Sequence, residues 1–383
     1  MKITIVGAGP AGLYAAILLR QHRPDISIQV FEKNSPDATF GFGVVFSSQA
    51  LAFLRQDDPQ TSDLIEPHML KWQDIRINHP EGSVVIDGIG FAAIERLTLL
   101  RLLQKRAAEL GIYPLFLENI VDPQRLPAAD LVIGADGINS VIREQYPDEF
   151  GREVYNLDNH FVWFGSSQNF SSLTQTFIET EYGPMNAHHY AYAKDQSTFI
   201  IETTPDVYKR SGFEQMSENQ YRLECEKLFA QQLDHSTLIP NHSVWRRFPV
   251  LSCRQWFVGN TVLVGDALHT AHFSIGSGTR LALEDVIALV RALREADFQL
   301  PDAFENYQTA RQPVLEKITR AAVTSANWYE TFDQRMKQGR WQFALDYIQR
   351  AGRLPFEKLA KTSPLFCESL VRQGLVQRRI NSD

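Results

Sequence analysis

Residue types that could hold a ligand are concentrated in two glycine-containing stretches that lie far apart in the chain. The first, GAGPAG, contains Gly7, Gly9 and Gly12 directly after an apolar run, and the second, GDALHTAHFSIGSGT, spans 265–279. Glycines at these spacings let backbone N–H groups approach the phosphates or polar edges of a nucleotide. The sequence shows no catalytic triad and no paired carboxylates, which is consistent with a chain that positions a cofactor to make and break the bonds.

The first glycine stretch lies in a strand–turn–helix–strand context. Residues 2–6 are mostly β-branched and predict a buried strand, 11–22 predict a helix, and 27–31 predict a second strand. A pyrophosphate would then lie on the helix N-terminus, with an acidic residue at the offset where a carboxylate accepts ribose hydroxyls. The pattern predicts a dinucleotide without distinguishing FAD from NAD. The expected contacts are Gly7, Gly9, Pro10, Ala11, Gly12, Glu32 and Lys33.

Two later motifs favour FAD. Asp136 follows the apolar strand 131–135, where ligands bind in open α/β sheets, although a turn residue or a helix cap is the alternative. Asp266 follows the strand 261–264 and can accept a hydrogen bond from an extended polyol chain. The helix predicted from residue 279 to 294 would point its positive end at a reduced, anionic flavin, and NAD has neither group. The expected contacts of the flavin half are Asp136, Gly265, Asp266, Gly276, Gly278 and Thr279.

These three motifs, in this order, resemble the signature of single-component FAD-dependent aromatic hydroxylases of the p-hydroxybenzoate hydroxylase type. The stretches ATFGFGVVFS, HFVWFGSSQNF and GDALHTAHFSIGSGT resemble a subgroup that hydroxylates salicylyl-CoA or anthraniloyl-CoA, and more distantly an indole hydroxylase of the violacein pathway. Phe273 and Arg280 depart from the general family, which has Pro and Asn there. The departures argue against a simple phenolic acid as the substrate.

The resemblance implies a monooxygenase that uses NAD(P)H and O2 to hydroxylate an activated aromatic ring through a flavin C4a-hydroperoxide. The substrate would be an aryl-CoA thioester or an indole-type compound, held in a pocket that excludes water. The alternatives are an NAD(P)H oxidase or electron-transfer flavoprotein, a flavin-dependent halogenase, and a flavin-bearing binding protein.

The same resemblance implies an α/β fold, in which a Rossmann-like FAD-binding domain is interleaved with an antiparallel β-sheet substrate domain and followed by C-terminal helices. Runs such as AHHYAYA and STFIIETT, separated by polar turns, are typical of such a sheet. We expect the FAD-binding domain in 1–71, 95–154 and 252–330, the substrate domain in 72–94 and 155–251, and a C-terminal helical segment in 331–383.

The candidate catalytic residues are His272, Phe273 and His188. The first two directly precede the helix aimed at the flavin. His188, Tyr190 and Tyr192 share one face of a strand, where they either line the substrate pocket or belong to the core.

Three further predictions concern charged or glycine-rich segments. Gly43 and Val44, in FGFGVVFS, are expected beside the flavin. Arg96 resembles a family arginine that contacts FAD, and a surface cation is the alternative. Arg246 and Arg247 either contact an acidic substrate tail, such as a CoA phosphate, or form a solvated surface pair.

The bulk composition excludes several classes of protein. A net charge of −7 without a basic stripe argues against binding nucleic acid. Three distant cysteines make neither a disulfide framework nor a metal pattern, and His269 with His272 and Asp266 lies in a loop expected to hold the flavin, so we expect no metal. No apolar run is long enough to span a membrane. We expect a cytoplasmic monomer or homodimer.

Overall fold

The computed structural model describes residues 1–376, and for residues 48–51 it describes the backbone alone. The end of the predicted C-terminal segment, 377–383, lies outside the described residues. The first part of the chain alternates strands and helices, in the order β1 (Lys2–Val6), α1 (Pro10–His22), β2 (Ser27–Glu32), β3 (Gly43–Ser47), α2 (Ser48–Asp57), α3 (Pro59–Ile65), β4 (Leu70–Trp72), β5 (Ile75–His79), β6 (Gly82–Ile86), β7 (Phe91–Glu95), α4 (Arg96–Glu109), β8 (Leu115–Phe116), β9 (Leu131–Gly134) and α5 (Val141–Glu144).

The rest of the chain begins with four long strands and ends with helices. Its elements are β10 (Arg152–Ser166), β11 (Leu173–Thr180), β12 (Gly183–Ala193), β13 (Gln196–Thr203), α6 (Pro205–Ser211), α7 (Glu218–Leu228), α8 (Ala230–Leu233), β14 (Leu238–Ile239), β15 (Arg246–Cys253), β16 (Phe257–Val258), β17 (Thr261–Leu263), α9 (Gly278–Glu295), α10 (Leu300–Tyr329), α11 (Phe332–Arg335), α12 (Arg340–Ile348), α13 (Phe356–Thr362) and α14 (Pro364–Arg372).

A six-stranded sheet carries the three predicted cofactor motifs. Its strand order is β16-β17-β9-β1-β2-β8, and every pair except β16 with β17 is parallel. Because β1, β9 and β17 are parallel neighbours, the loops that follow them emerge at one edge of the sheet. The helices α1 and α9 pack against each other beside this sheet, and Leu13, Ile17 and Leu289 are fully buried between these layers.

The tight turn after β1 depends on two glycines. Gly7 has a φ of +100°, a conformation that favours glycine, and its N–H donates to the carbonyl oxygen of Phe31. A Cβ at Gly12 would collide with the carbonyl oxygen of Gly7. Gly12 therefore lets α1 approach the preceding strand closely, as the glycine pattern predicts.

The large sheet has eight strands in the order β14-β10-β13-β12-β11-β5-β6, with β15 pairing with β10. All of its pairs are antiparallel except β5 with β11, which run parallel. The prediction of an antiparallel sheet is therefore correct apart from this pair. In this pair β5, from an earlier part of the chain, joins the outer edge of β11, the first strand of the β11-β12-β13 meander.

A small antiparallel sheet, β3-β7-β4, lies between the two larger sheets. It contacts β12 on one side and α2 and α4 on the other. We expected residues 72–94 to add strands to the large sheet, and of the strands in this stretch only β5 and β6 do so. The division into domains stays a prediction.

The C-terminal helices pack on the large sheet. Phe177 of β11 lies against Trp328, Tyr329 and Phe343, which come from α10 and α12. The overall arrangement is the α/β fold with an interleaved sheet and C-terminal helices that the sequence predicts. Among residues 1–376, no helix combines the length and the apolar character needed to cross a membrane.

Candidate active site

The loop after β1 leaves its glycine backbone open to a ligand. A Cβ at Gly9 would meet no protein atom within 4 Å, so the backbone of this loop borders free space. At the end of β2, the Glu32 carboxylate accepts hydrogen bonds from the N–H groups of Ala8 and Asn34, at 2.8 and 2.9 Å. Lys33 is exposed beside it. An open glycine loop with a carboxylate held next to it fits the phosphates and ribose of a dinucleotide.

Asp136 caps the short helix α5. Its Oδ2 accepts hydrogen bonds from the N–H groups of Val141, at 2.7 Å, and Ile142, at 3.3 Å. Its Oδ1 is buried and has no partner within the part of the chain that the structure describes. The alternative interpretation as a helix cap is therefore correct in geometry, and the orphaned oxygen leaves one acceptor for a ligand.

A buried ionic network that we did not predict connects the loop after β17 to α9 and α10. Asp285 of α9 pairs with His269 at 2.7 Å and with Arg311 at 2.9 Å, and it accepts from the N–H of Gly265 at 3.2 Å. Burial alone would raise the pKa of Asp285, but His269 and Arg311 keep it below its ordinary value. This network makes His269 a structural residue of the loop.

A cleft of about 810 Å³ opens between the two larger sheets. The carboxylate of Asp266 projects into it and makes no hydrogen bond within residues 1–376. Of the residues predicted to contact FAD or to be catalytic, nine line the cleft: Gly43, Val44, Arg96, His188, Asp266, Phe273, Gly276, Gly278 and Thr279. The candidates Tyr190, Arg246 and Arg247 line it as well.

The part of the cleft lined by Arg96, Asp266 and the start of α9, which we call its inner end, fits the flavin half of FAD. The first turn of α9 is open, since a Cβ at Gly278 would meet nothing within 4 Å. Arg96 is half-buried, and burial lowers its pKa, while Asp266 acts in the opposite direction. An arginine and a carboxylate whose side chains make no hydrogen bond within the described chain, together with a helix N-terminus, suit a ligand with a polyol chain and an anionic ring edge.

Two predicted pocket residues lie elsewhere. His272 is buried behind Phe273, with the ring centroids 4.1 Å apart, and it is not among the residues that line the cleft. Its Nδ1 accepts from the N–H of Ser274 at 3.3 Å, so the ring caps the following turn. Tyr192 is also absent from the lining of the cleft, and its hydroxyl donates to Gln196, whereas Tyr190 lines the cleft and donates to the carbonyl oxygen of Gly43 at 2.9 Å.

His188 lines the cleft and belongs to a buried polar cluster. Its Nε2 lies 3.4 Å from Oε2 of Glu202, and Oε1 of Glu202 accepts from the Asn159 amide at 3.0 Å. Burial, and then the charge of Arg350, lower the pKa of His188 to about 3, while burial raises the pKa of Glu202. The imidazole is therefore neutral at physiological pH and able to accept a hydrogen bond.

Arg350 is a cleft residue that sequence reasoning missed. It follows α12, and its guanidinium donates to the carbonyl oxygens of Tyr347, at 2.9 Å, and Ser274, at 2.8 Å. It also lies over the Tyr347 ring at 3.9 Å, and its Nε is buried without a partner in the described chain. The C-terminal helices look like packing elements in the sequence, and no local motif around Arg350 marks it.

Comparison with known proteins identifies the class. A model of an FAD-binding domain matches residues 118–322, and a model of an NAD(P)-binding Rossmann-like domain matches 5–41. The chain belongs to the FAD-dependent aromatic monooxygenases. It is an oxidoreductase that binds FAD, uses NAD(P)H and hydroxylates an aromatic small molecule, as the sequence predicts.

Three curated relatives are similar over most of the chain. The salicyloyl-CoA 5-hydroxylase of a Streptomyces species is 39% identical over 94% of this chain and 71% of its own length. The 3-hydroxy-4-methyl-anthranilyl-[aryl-carrier protein] 5-monooxygenase of Streptosporangium sibiricum is 36% identical, covering 86% and 89%. The protodeoxyviolaceinate monooxygenase of Chromobacterium violaceum is 31% identical, covering 93% and 96%. The predicted resemblance to the aryl-CoA and violacein-pathway hydroxylases is confirmed.

Solved structures agree on the fold. A 2-methyl-3-hydroxypyridine-5-carboxylic acid oxygenase superposes with a TM-score of 0.72 at 18% identity, covering 93% of this chain and 98% of the other. The predicted fold is therefore confirmed.

Proposed function

We propose that the protein hydroxylates the ring of an aryl thioester, with NAD(P)H and O2 as co-substrates. The observation that carries the proposal is the single cleft that joins Asp266 and α9 to His188, Phe273 and Arg350. Two of the similar relatives are named for a CoA thioester and for an aryl group on a carrier protein. Their shared chemistry is an aromatic acid joined to a phosphopantetheine thiol.

Several residues hold FAD in this proposal. Gly9, at the N-terminus of α1, and Glu32 take the diphosphate and ribose, and Arg96 and Asp266 contact the diphosphate or polyol region. When bound, FAD supplies electron transfer from NAD(P)H and activation of O2. The predicted contacts with lesser roles are Gly7, Pro10, Ala11, Gly12, Lys33, Gly43, Val44, Asp136, Gly265, Gly276, Gly278 and Thr279.

His188 is the proposed residue that orients the reacting ring. A ring hydroxyl or amino group donates electrons to the ring more strongly when it donates a hydrogen bond, and the neutral imidazole can accept that bond. Glu202 orients the imidazole through the 3.4 Å contact. Arg350 contributes a fixed positive charge beside the oxygen that becomes anionic.

Phe273 closes the reacting region against water. Its ring lies 5.2 Å from His188 and 4.9 Å from Phe161, measured between centroids. With Phe91 and Leu173 it forms an apolar wall in the cleft. Exclusion of water favours transfer of oxygen to the ring over its release as H2O2.

The substrate would lie between the FAD-binding domain (1–71, 95–154 and 252–330) and the substrate domain (72–94 and 155–251), with the C-terminal segment supplying Arg350. A cytoplasmic location and a monomeric or homodimeric state remain parts of this proposal.

The test is a substrate panel of salicylyl-CoA, anthraniloyl-CoA, the two free acids and an indole compound. We expect NAD(P)H consumption to accelerate, and a product heavier by one oxygen atom, only with the thioesters. Product from the free acids or the indole alone would overturn the thioester proposal. Substrate-independent NAD(P)H consumption that yields only H2O2 would favour the oxidase or electron-transfer alternative.

A further inference from the structure

The cleft is strongly positive although the chain is acidic. Its lining includes six arginines and two carboxylates, an excess of four positive charges, in a chain whose net charge is −7. The arginines are Arg96, Arg143, Arg152, Arg246, Arg247 and Arg350, and the carboxylates are Glu144 and Asp266. Such a field concentrates anionic ligands at the cleft.

The exposed arginines of the lining, Arg152, Arg246 and Arg247, define what we call the outer end of the cleft, and most of the arginines there are already paired. Arg152 and Arg143 both contact Glu144, at 3.1 Å. Arg247 donates to the carbonyl oxygen of Leu157 at 2.6 Å and pairs with Asp158 at 2.8 Å. These contacts neutralise or satisfy the guanidinium groups, so none of the three is free to bind a ligand without losing a partner.

Arg246 differs from its neighbours. Within residues 1–376, no hydrogen bond or ion pair engages its side chain, and its guanidinium lies 5.3 Å above the ring of Phe161, the residue opposite it on β10. Partial burial lowers its pKa, and no carboxylate offsets that effect. The protein therefore holds a partly exposed cation at the outer end of the cleft without supplying its counter-ion.

We infer that Arg246 is the centre of a phosphate-binding subsite at the outer end of the cleft. The guanidinium can donate two parallel hydrogen bonds to phosphate oxygens, and Phe161 limits its side-chain freedom. Besides FAD, two ligands in this proposal carry phosphate. One is the phosphopantetheine group of the thioester, and this assignment rests on the proposed function. The other is the diphosphate of NAD(P)H, and this assignment does not depend on the proposed function.

The test uses the FAD-loaded enzyme and three variants. Arg246→Gln removes the charge, Arg246→Lys keeps it without the planar fork, and Arg254→Gln is a matched control at an exposed arginine just beyond β15, outside the cleft. Calorimetric titration gives the dissociation constants of CoA and of pantetheine, which lacks phosphate. Anaerobic reduction of the bound flavin at increasing NADPH concentrations gives an apparent dissociation constant without any aromatic substrate.

We expect Arg246→Gln to weaken one phosphate-bearing ligand about tenfold, with Lys intermediate and Arg254→Gln unchanged. A change for CoA but not for pantetheine assigns the phosphate to the thioester handle. A change for NADPH instead assigns it to the nicotinamide dinucleotide. The loss should shrink at high ionic strength, since partly exposed charges are screened.

The inference is overturned if Arg246→Gln leaves both CoA and NADPH binding unchanged, if Arg254→Gln weakens them equally, or if pantetheine is affected as much as CoA. Failure of the proposed function has a different signature. The wild-type enzyme would then hydroxylate no aryl thioester, while the binding measurements on Arg246 would still decide the phosphate subsite.

Discussion

The guanidinium of Arg350 donates a hydrogen bond of 2.8 Å to the carbonyl oxygen of Ser274, 76 residues earlier in the chain. The hydroxyl of Ser274 in turn lies 2.8 Å from that of Ser325 in α10. Ser274 directly follows Phe273, which lines the cleft. The position of that ring therefore depends on two contacts with the C-terminal half of the chain.

Replacing Arg350 with Gln should lower kcat/KM at neutral pH by about tenfold or more, because a partly buried charged hydrogen bond is lost. The positive charge of Arg350 adds to burial in lowering the pKa of His188, so this pKa should rise in the variant. Activity should then fall at a higher pH on the acid side than in the wild type. The measurement is kcat/KM from pH 4 to 8, since a wild-type His188 pKa of about 3 places the wild-type acid limb below pH 5. Exposed Arg353→Gln is the control, and equal profiles for both variants would contradict the role of Arg350.

Replacing Phe273 with Ala should uncouple NAD(P)H consumption from hydroxylation. The smaller side chain opens the apolar wall beside His188, which admits water and loosens the aromatic ring. FAD should stay bound, since Asp266 and the start of α9 are unchanged. The ratio of hydroxylated product to NAD(P)H consumed should fall several-fold while H2O2 rises. Phe273→Leu, which keeps most of the volume, should retain more coupling, and a wild-type ratio in the Ala variant would make Phe273 a packing residue.

Replacing Asp266 with Ala should weaken FAD binding by about 10- to 100-fold, the equivalent of a charge-assisted hydrogen bond of about 1.5–3 kcal/mol. The stability of the apoprotein should change little, because the Asp266 carboxylate makes no hydrogen bond within the described chain. Asp285→Ala is the contrast, since it removes the shared partner of His269 and Arg311, leaves Arg311 paired with Glu284 alone, and should cost about 3 kcal/mol. FAD titration and thermal unfolding of both apoproteins separate the two roles. An unchanged FAD dissociation constant in Asp266→Ala would make this residue structural.

Stability should fall as the pH drops below 6.5. Burial, and to a smaller extent the neighbouring His188, lowers the pKa of His189 to about 3. Near pH 6.5 the unfolded chain therefore binds a proton that the folded chain does not bind. Between pH 6.5 and 5 each such histidine removes about 2 kcal/mol of unfolding free energy. His189→Gln, which retains an acceptor or donor for Thr176, should unfold with a weaker dependence on pH. Urea unfolding at pH 5, 6 and 7 measures this, and identical slopes would refute it.

The cofactor and the class of reaction could be predicted from the sequence. The glycine motifs act through local backbone geometry, which depends on the residues within a few positions: Gly7 needs its positive φ, and Gly12 needs the absence of a Cβ. The apolar strand patterns predicted where β1, β9 and β17 end, and therefore which residues lie at their carboxyl ends. Parallel pairing then brings these strand ends to one edge, and that pairing follows from a well-known chain topology.

The substrate end of the site was decided by tertiary packing. His188 meets Glu202 across neighbouring strands, and Arg350 meets Ser274 through the packing of α10 and α12, contacts that no local pattern encodes. Packing also buries His272 behind Phe273. The two residues are adjacent in the sequence, and the sequence predicts that both face the cleft. The physical reason is that the orientation, burial and charge state of a side chain depend on neighbours from distant segments, whereas the conformation of a glycine turn depends mainly on its own residues.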